Sequence, residues 1–147
     1  VPDSEYSDTQ KADWAIGKLG EEYDKPFFLA VGFDRPHQPL FNPTRFHDMY
    51  PPESVVLPQT IPNDLGDVPR AAREYALAPN TSGLHKSVLQ YGQWEEAVSS
   101  YLASISYVDD LVGRIMAALE DGPYADNTLV VMWSDHGWHL GEKEHWG

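Results

Sequence analysis

The sequence contains no cysteine, which removes disulfides, thiolate zinc sites and a cysteine nucleophile from these 147 residues. It also lacks an apolar run near the roughly 18 residues of a membrane span. Residues 1–4 have neither the basic nor the apolar region of a signal peptide. These absences exclude several kinds of site but leave the cellular compartment undetermined.

Basic residues are scarce, since 10 Lys and Arg stand against 23 Asp and Glu and give a net charge of −13. This charge argues against nucleic acid or an anionic membrane as the main partner. It would also repel an anionic substrate unless a metal ion or local cationic groups invert the field at the site. The length and a hydrophobic share of 41% fit one globular domain with a real core.

Two apolar runs of strand length follow two helical patterns along the chain. Residues 26–33 and 128–133 are apolar without alternation, which favours strands buried on both faces of a parallel sheet. Residues 9–19 and 94–120 repeat apolar positions with a helical period. This order predicts an α/β fold in which a right-handed crossover joins two parallel strands.

The apolar faces of the two predicted helices can be read from the same period. Ala12, Ala15, Ile16 and Leu19 form the first face, and the second comprises Val98, Tyr101, Leu102, Ile105, Val108, Val112, Ile115, Met116 and Leu119. The segment 38–93 is rich in proline. This composition predicts a long excursion, that is, a loop region with one short helix near residues 44–50.

Polar residues directly follow both predicted strands. Asp34, Arg35 and His37 come after the first strand, and Asp135 and His136 come after the second. Because parallel strands end at one edge of a sheet, we expect these residues on the same edge, where ligands bind. An Asp oxygen and a His nitrogen suit zinc, manganese or iron, and the Asp also suits calcium or magnesium.

Each of these candidates also has a structural interpretation. Asp135 would then cap a turn at the strand end beside a surface His136. His37, in a turn flanked by prolines, either binds an anion or acts as an acid, or is satisfied by backbone groups. Arg35 is either an anion ligand or a solvated charge.

A histidine cluster near the end of the chain gives a weaker signal. His139, Glu142 and His145 could extend a metal site with His136, and a structural zinc module using His136, His139 and His145 is one alternative. Such a module would lose its fold when a chelator removes the zinc.

Three further features have a mainly structural interpretation. Asp109 and Asp110 are adjacent carboxylates on the second helix, where an exposed face is favoured over acid–base work. The segment 80–82 is a glycosylation sequon, usable only in a secreted protein. His47 and His85 have no supporting context.

Three segments together resemble the type I sulfatases, closest to the iduronate and choline sulfatase branch. The first is FFLAVGF (27–33) with RPHQP (35–39), and the second is YLASISYVD (101–109) with VGR (112–114). The third, SDHGWHLGE (134–142), begins with a motif that phosphatases and phosphodiesterases of the alkaline-phosphatase superfamily share. The three in this order are specific to sulfatases.

The resemblance implies that residues 1–147 are the central part of a sulfatase catalytic domain. The fold would be part of an alkaline-phosphatase-like α/β/α sandwich with a mainly parallel central sheet. Asp135 and His136 match a pair of metal ligands, usually around Ca²⁺, with Mg²⁺, Mn²⁺ or Zn²⁺ as alternatives. His37 matches a histidine that contacts the sulfate ester, and Arg35 would help to bind it. The partners implied are a sulfated small molecule or glycan and the remainder of the polypeptide.

The sequence departs from the family in one decisive respect. The family's nucleophile is a formylglycine made in a Cys/Ser-x-Pro-x-Arg motif, which these residues lack; Phe41 stands at the nucleophile position of the nearest match, 41–45. The first pair of metal carboxylates is absent as well. We therefore expect the nucleophile region and the C-terminal part to lie outside this chain, and the chain alone to be inactive. Export would follow from family analogy alone.

Two alternative functions stay open. The first is a phosphodiesterase or phosphonate ester hydrolase of the same superfamily. The second is a noncatalytic binding domain derived from the fold.

Overall fold

The computed structural model describes residues 1–78 and 85–146. Its helices are α1 (Ser7–Leu19), α2 (Thr44–His47), α3 (Arg70–Ala76), α4 (His85–Gln90) and α5 (Trp94–Glu120). Single 3-10 turns occur at Asp3–Glu5, Pro52–Ser54, Ala125–Asn127 and Glu142–Glu144. The chain divides into two compact units. The first unit is Val1–Met49 with Ser100–Val131, and the second is Tyr50–Ser99 with Met132–Gly147.

The two long helices are confirmed, and the bounds of α5 are those that the sequence predicts. The buried face of α1 also agrees, since Ala12, Ala15 and Leu19 are buried. The predicted buried face of α5 is confirmed in part, since Val98 and Leu119 are buried, whereas Ile105 is 43% exposed. In the first unit Ala103, Tyr107 and Leu111, which were not predicted, are buried as well. Positions four residues apart still share one side of the helix, but the small Ala103 lets neighbouring chain approach there.

Tyr107 forms the centre of the first unit. Its hydroxyl accepts a hydrogen bond of 3.0 Å from the backbone N–H of Thr9 and lies 2.7 Å from Thr9 Oγ1. The rings of Phe46 and Tyr6 pack on it with centroid distances of 5.3 and 6.0 Å. Burial raises the pKa of Tyr107, so the hydroxyl stays protonated and its hydrogen bonds persist. These contacts join α1, α2 and α5.

The predicted sheet is not confirmed. Among the described residues, the β-bridge between Leu140 and Trp146 is the only strand pairing, and the runs 26–33 and 128–133 lie outside it. Phe28 is 93% exposed and Leu129 is 90% exposed. A strand needs a neighbour for its backbone N–H and C=O groups, and nothing within the described residues pairs with these two runs. The predicted crossover between parallel strands is therefore not observed.

The proline-rich excursion contains more helix than the sequence analysis predicts. The short helix near residue 44 is confirmed as α2, but α3 and α4 were not predicted. Helix α3 begins directly after Pro69, and an ion pair of 2.6 Å between Arg70 and Glu74 spans one of its turns. Prolines thus precede a helix here, where their fixed φ is compatible with a helix start. The sequon at 80–82 lies outside the described residues.

Aromatic and histidine side chains form the core of the second unit. Trp146 is 1% exposed and donates from Nε1 to His85 Nδ1 at 3.1 Å. Trp94 donates to the carbonyl of Leu140 at 2.8 Å. Burial lowers the pKa of His85, which keeps its ring neutral and able to accept the bond from Trp146. His85 therefore has a structural role. None of the described helices combines the length and apolarity that crossing a bilayer requires.

Candidate functional site

The segment that follows the first apolar run is a turn closed by hydrogen bonds. The N–H of His37 donates to the carbonyl of Asp34 at 2.8 Å. The bonds Arg35–Pro36 and Gln38–Pro39 are both cis. His37 is exposed, and it stands at the end of the turn in the first unit.

The contacts of His37 define which ring nitrogen is available. Its Nδ1 lies 2.7 Å from the carbonyl oxygen of Gln38, which requires that Nδ1 carries a proton. In the neutral ring Nε2 is then the nitrogen with a free lone pair, and in the imidazolium it becomes a second donor. The backbone contact therefore orients the ring without using Nε2.

Arg35 is held mainly by its neighbours in the chain. Its Nε donates to the carbonyl of Phe41 at 2.9 Å, and its backbone N–H donates to Asp8 at 3.1 Å. The side chain is half-buried. This arrangement fits the structural interpretation of Arg35, and it leaves the terminal guanidinium nitrogens for an anion.

Asp135 and His136 lie in the second unit, directly after the second apolar run. Asp135 Oδ2 and His136 Nε2 are 3.6 Å apart, and the two side chains are 88% and 67% exposed. The Nδ1 of His136 lies 2.8 Å from the carbonyl of Gly137, so this nitrogen carries the proton and Nε2 is the nitrogen with a lone pair available in the neutral ring. Ser134 Oγ donates to the carbonyl of His136 at 2.6 Å, which fixes the backbone beside the ligand pair.

This donor pair fits a divalent cation. Two atoms 3.6 Å apart are compatible with two ligands of one ion at distances of about 2.0–2.6 Å. Their high exposure leaves them open to further ligands. Within residues 1–78 and 85–146, no group of three or more His, Cys, Asp or Glu side chains is arranged to hold a metal. The pair alone would supply two of the ligands that a metal site needs.

The alternative zinc module is not supported by the described residues. The rings of His139 and His145 lie 5.7 Å apart, but they form no cluster of three potential ligands with His136. His145 also packs against Tyr75. His145 thus contributes to the packing of the second unit, whereas His139 is exposed.

Asp109 and Asp110 do not form a catalytic pair. Asp109 is exposed on α5, as the sequence analysis favours, and Asp110 forms an ion pair of 3.0 Å with Arg45. Arg45 also binds Asp3 at 2.8 Å and lies over the ring of Phe46. Arg45, the arginine of segment 41–45, therefore has a structural role in the first unit.

Sequence analysis missed Asp8, the residue that holds the turn before His37. Its carboxylate is 2% exposed and accepts hydrogen bonds from the backbone N–H groups of Asp34 and Arg35. The sequence analysis identified no candidate site before residue 34. A charged residue at a helix start normally serves that helix, so no local signal pointed to a partner 26 residues away.

Lys11 supplies the positive charge beside this carboxylate. It contacts Asp8 at 2.9 Å and Asp34 at 2.8 Å. Desolvation alone would lower the pKa of Lys11, but its hydrogen bonds to Asp34 and Asp8 outweigh burial and raise it. The same bond lowers the pKa of Asp34. The Asp34 carboxylate and the Lys11 ammonium are therefore both ionised at neutral pH.

The comparison with known families identifies the chain. The Sulfatase family model matches residues 2–147. The chain therefore belongs to the sulfatase family, which implies an alkaline-phosphatase-like α/β fold and confirms the resemblance of its three segments.

Several curated proteins are similar over nearly the whole chain. A sulfatase of Formosa agariphila is 41% identical over 92% of the chain, and iduronate 2-sulfatase of Mus musculus is 36% identical over 99%. A multifunctional alkaline phosphatase superfamily protein of Trinickia caryophylli is 30% identical over 94%. The chain spans 27%, 28% and 29% of these three relatives.

Proposed function

We propose that the enzyme containing this chain hydrolyses sulfate esters of small molecules or glycans, and that this chain supplies part of its active site. The observation that carries the proposal is the pair Asp135 Oδ2 and His136 Nε2, two exposed potential metal ligands that lie 3.6 Å apart. They stand in the segment that resembles the sulfatase metal-binding motif. Membership of the sulfatase family supports the same reaction class.

Asp135 and His136 would hold a divalent cation, for which Ca²⁺ is the first candidate. When bound, such an ion polarises the sulfate oxygens and offsets their negative charge. The residues of this chain keep the two donors in place: Ser134 and Gly137 fix the backbone and the ring of His136 through the contacts described above. This support sets the tautomer that a ligating histidine needs.

His37 would contact the sulfate ester through Nε2. Because Nδ1 is engaged by the carbonyl of Gln38, a protonated ring presents Nε2–H to a sulfate oxygen or gives that proton to the leaving group. Arg35, anchored through Nε to Phe41, would offer its remaining N–H donors to the anion. In this proposal the formylglycine nucleophile and the other metal ligands belong to parts of the enzyme outside these residues. The chain alone would then be inactive.

The proposal is tested in the full-length enzyme with an aryl sulfate as substrate. Asp135→Ala and His136→Ala are each expected to lower kcat/KM by at least about 100-fold, since each removes a metal ligand. Bound calcium, measured by atomic emission, is expected to fall in parallel. Asp109→Ala, which removes an exposed carboxylate of α5, is the matched control and should leave both values unchanged. Full activity of the two ligand variants, or of enzyme stripped of metal, would contradict the proposal.

Hydrolysis of phosphate diesters or phosphonate esters is the second candidate, favoured by the similarity to the multifunctional alkaline phosphatase superfamily protein. Aryl sulfate and aryl phosphate diester compared on the same preparation decide between the two. A higher kcat/KM for the diester would favour this candidate. Hydrolysis of neither ester would favour a noncatalytic binding domain.

A further inference from the structure

Asp8 is a buried carboxylate outside the residues assigned above. It lies in the first turn of α1 and is 2% exposed. Its Oδ1 accepts from the N–H of Asp34 at 3.0 Å and from Lys11 Nζ at 2.9 Å. Its Oδ2 accepts from the N–H groups of Asp34 and Arg35 at 3.2 and 3.1 Å. A buried charge persists only when it is satisfied in this way.

The two amides that Asp8 binds are the first two backbone N–H groups of the turn 34–37, which carries His37. Pro36 has no N–H, and the next donor, that of His37, closes the turn on the carbonyl of Asp34. Asp8 therefore holds the chain at the point from which His37 projects. Arg35 is fixed at its backbone by the same carboxylate.

Because Lys11 pairs with Asp8, the geometry of the turn 34–37 depends on the negative charge of Asp8. Its ammonium lies between Asp8 and Asp34 and is shared by both carboxylates. A neutral amide at position 8 would keep one oxygen acceptor, and its NH₂ group would face backbone N–H donors instead of accepting from them. The turn would have to move to relieve this contact.

We propose that Asp8 is a positioning residue. Its carboxylate accepts hydrogen bonds from the backbone N–H groups of Asp34 and Arg35 and thereby orients His37 toward the sulfate ester. This inference rests on the proposed function of His37. Substituting a residue that acts only by orienting another is expected to lower kcat more than it weakens substrate binding. A displacement of a catalytic group by about 1 Å lowers the rate on the order of 100-fold.

The test is a double-mutant cycle in the full-length enzyme with an aryl sulfate. Asp8→Asn is expected to lower kcat by about 10- to 100-fold while KM changes less than about threefold. In the background of His37→Ala, the same substitution should have little further effect on kcat, because Asp8 acts on kcat through His37, whereas a loss through Arg35 would change KM. Asp13→Asn is the control: it removes an exposed carboxylate of the same helix that pairs with Arg114, and kcat should stay unchanged.

The outcomes separate the two proposals. If His37→Ala leaves kcat unchanged, the proposed role of His37 is wrong. If His37→Ala is impaired but Asp8→Asn has a normal kcat, or if the two effects multiply, the positioning role is overturned and the role of His37 stands. Should Asp8→Asn fail to fold in a thermal melt, Asp8→Glu carries the same cycle, since it keeps the charge and shifts it by one methylene. A normal kcat of Asp8→Glu would also overturn the role.

Discussion

At the scale of single residues, Gly141 is a position where the backbone excludes every other amino acid. Its φ is +126°, and an added Cβ would lie 2.7 Å from His85 Cε1 and 3.0 Å from Trp94. Both neighbours belong to the core of the second unit. Gly141→Ala is therefore expected to lower the free energy of unfolding of the full-length enzyme by about 1–3 kcal/mol, measured by denaturant titration.

Gly17 supplies the matched control for this substitution. It lies within α1, is exposed, and an added Cβ would meet nothing within 4 Å. Gly17→Ala should leave stability unchanged or raise it by up to about 1 kcal/mol, because alanine favours the helix. Equal changes in the free energy of unfolding for the two substitutions would contradict this prediction. They would show that His85 and Trp94 accommodate the added Cβ at position 141 without loss of stability.

The site residues differ in how far sequence could predict them. His37, Asp135 and His136 were predicted because each follows an apolar run of strand length, a local signal. Asp8 was not found, because its partners come from a turn 26 and 27 residues further along the chain. Local patterns indicate candidate residues next to predicted strands. They do not show which distant carboxylate holds the loop.

At the scale of elements, the segment that follows Asp135 and His136 is anchored by Lys143. Its φ of 52° is left-handed, which is unfavourable for a side chain. Its N–H donates to Asp64 at 2.9 Å, and its ammonium contacts Asp64 and Asp67 at 2.9 and 2.8 Å. These bonds fix the turn Glu142–Glu144 to the loop around residue 64.

The anchor predicts a defined pH dependence. Hydrogen bonds from Lys143 lower the pKa of Asp64 and Asp67 below the ordinary value of 3.8, so this stabilisation is present above that pH and lost as the pH falls through the lowered values. The hydrogen bonds that Lys143 donates to the two carboxylates, Asp67 first, raise the pKa of Lys143 above 10.5, so its share is present below that pH and lost above the raised value. Unfolding free energies of wild type and Lys143→Gln should differ between these limits and converge outside them.

Lys18 offers the control for this measurement. It forms an ion pair of 2.7 Å with Glu21, but both side chains are exposed to solvent. Exposed pairs contribute little to stability, so Lys18→Gln should change the free energy of unfolding less than Lys143→Gln at neutral pH. A larger effect at Lys18, or a pH-independent effect at Lys143, would contradict the interpretation.

The elements also show why helices were easier to predict than strands. Helix α5 satisfies its own backbone, so its period and bounds follow from local sequence. Its buried face does not, because partners such as Asn42, which donates to Ser104 at 2.8 Å, decide which side is covered. A strand needs a second strand for its hydrogen bonds. The runs at 26–33 and 128–133 have the strand pattern without that partner among the described residues.

At the scale of the whole molecule, the exposed apolar surface and the length of the chain both indicate that the two apolar runs are inner strands of a sheet in the full-length enzyme. The second apolar run exposes Leu129, Val131, Met132 and Trp133 by 67–90%. Contiguous apolar surface of this kind marks a contact with other protein. The chain spans less than a third of the sulfatases it resembles, and the sulfatase family has an alkaline-phosphatase-like α/β fold. We therefore expect both runs to be inner strands of the sheet in the full-length enzyme.

Hydrogen exchange followed by mass spectrometry tests this expectation. In the full-length enzyme, the amides of residues 27–33 and 129–133 should exchange slowly, because pairing on both edges and burial on both faces protect their N–H groups. Residues 55–61, which have no regular structure and are largely exposed, serve as the internal reference for rapid exchange. In the isolated chain the two runs should exchange as fast as that reference, since its described residues give them no partner. Rapid exchange of both runs in the full-length enzyme would mean that they are surface segments, and the argument that strand ends bring His37 and Asp135 to one edge would fail with them.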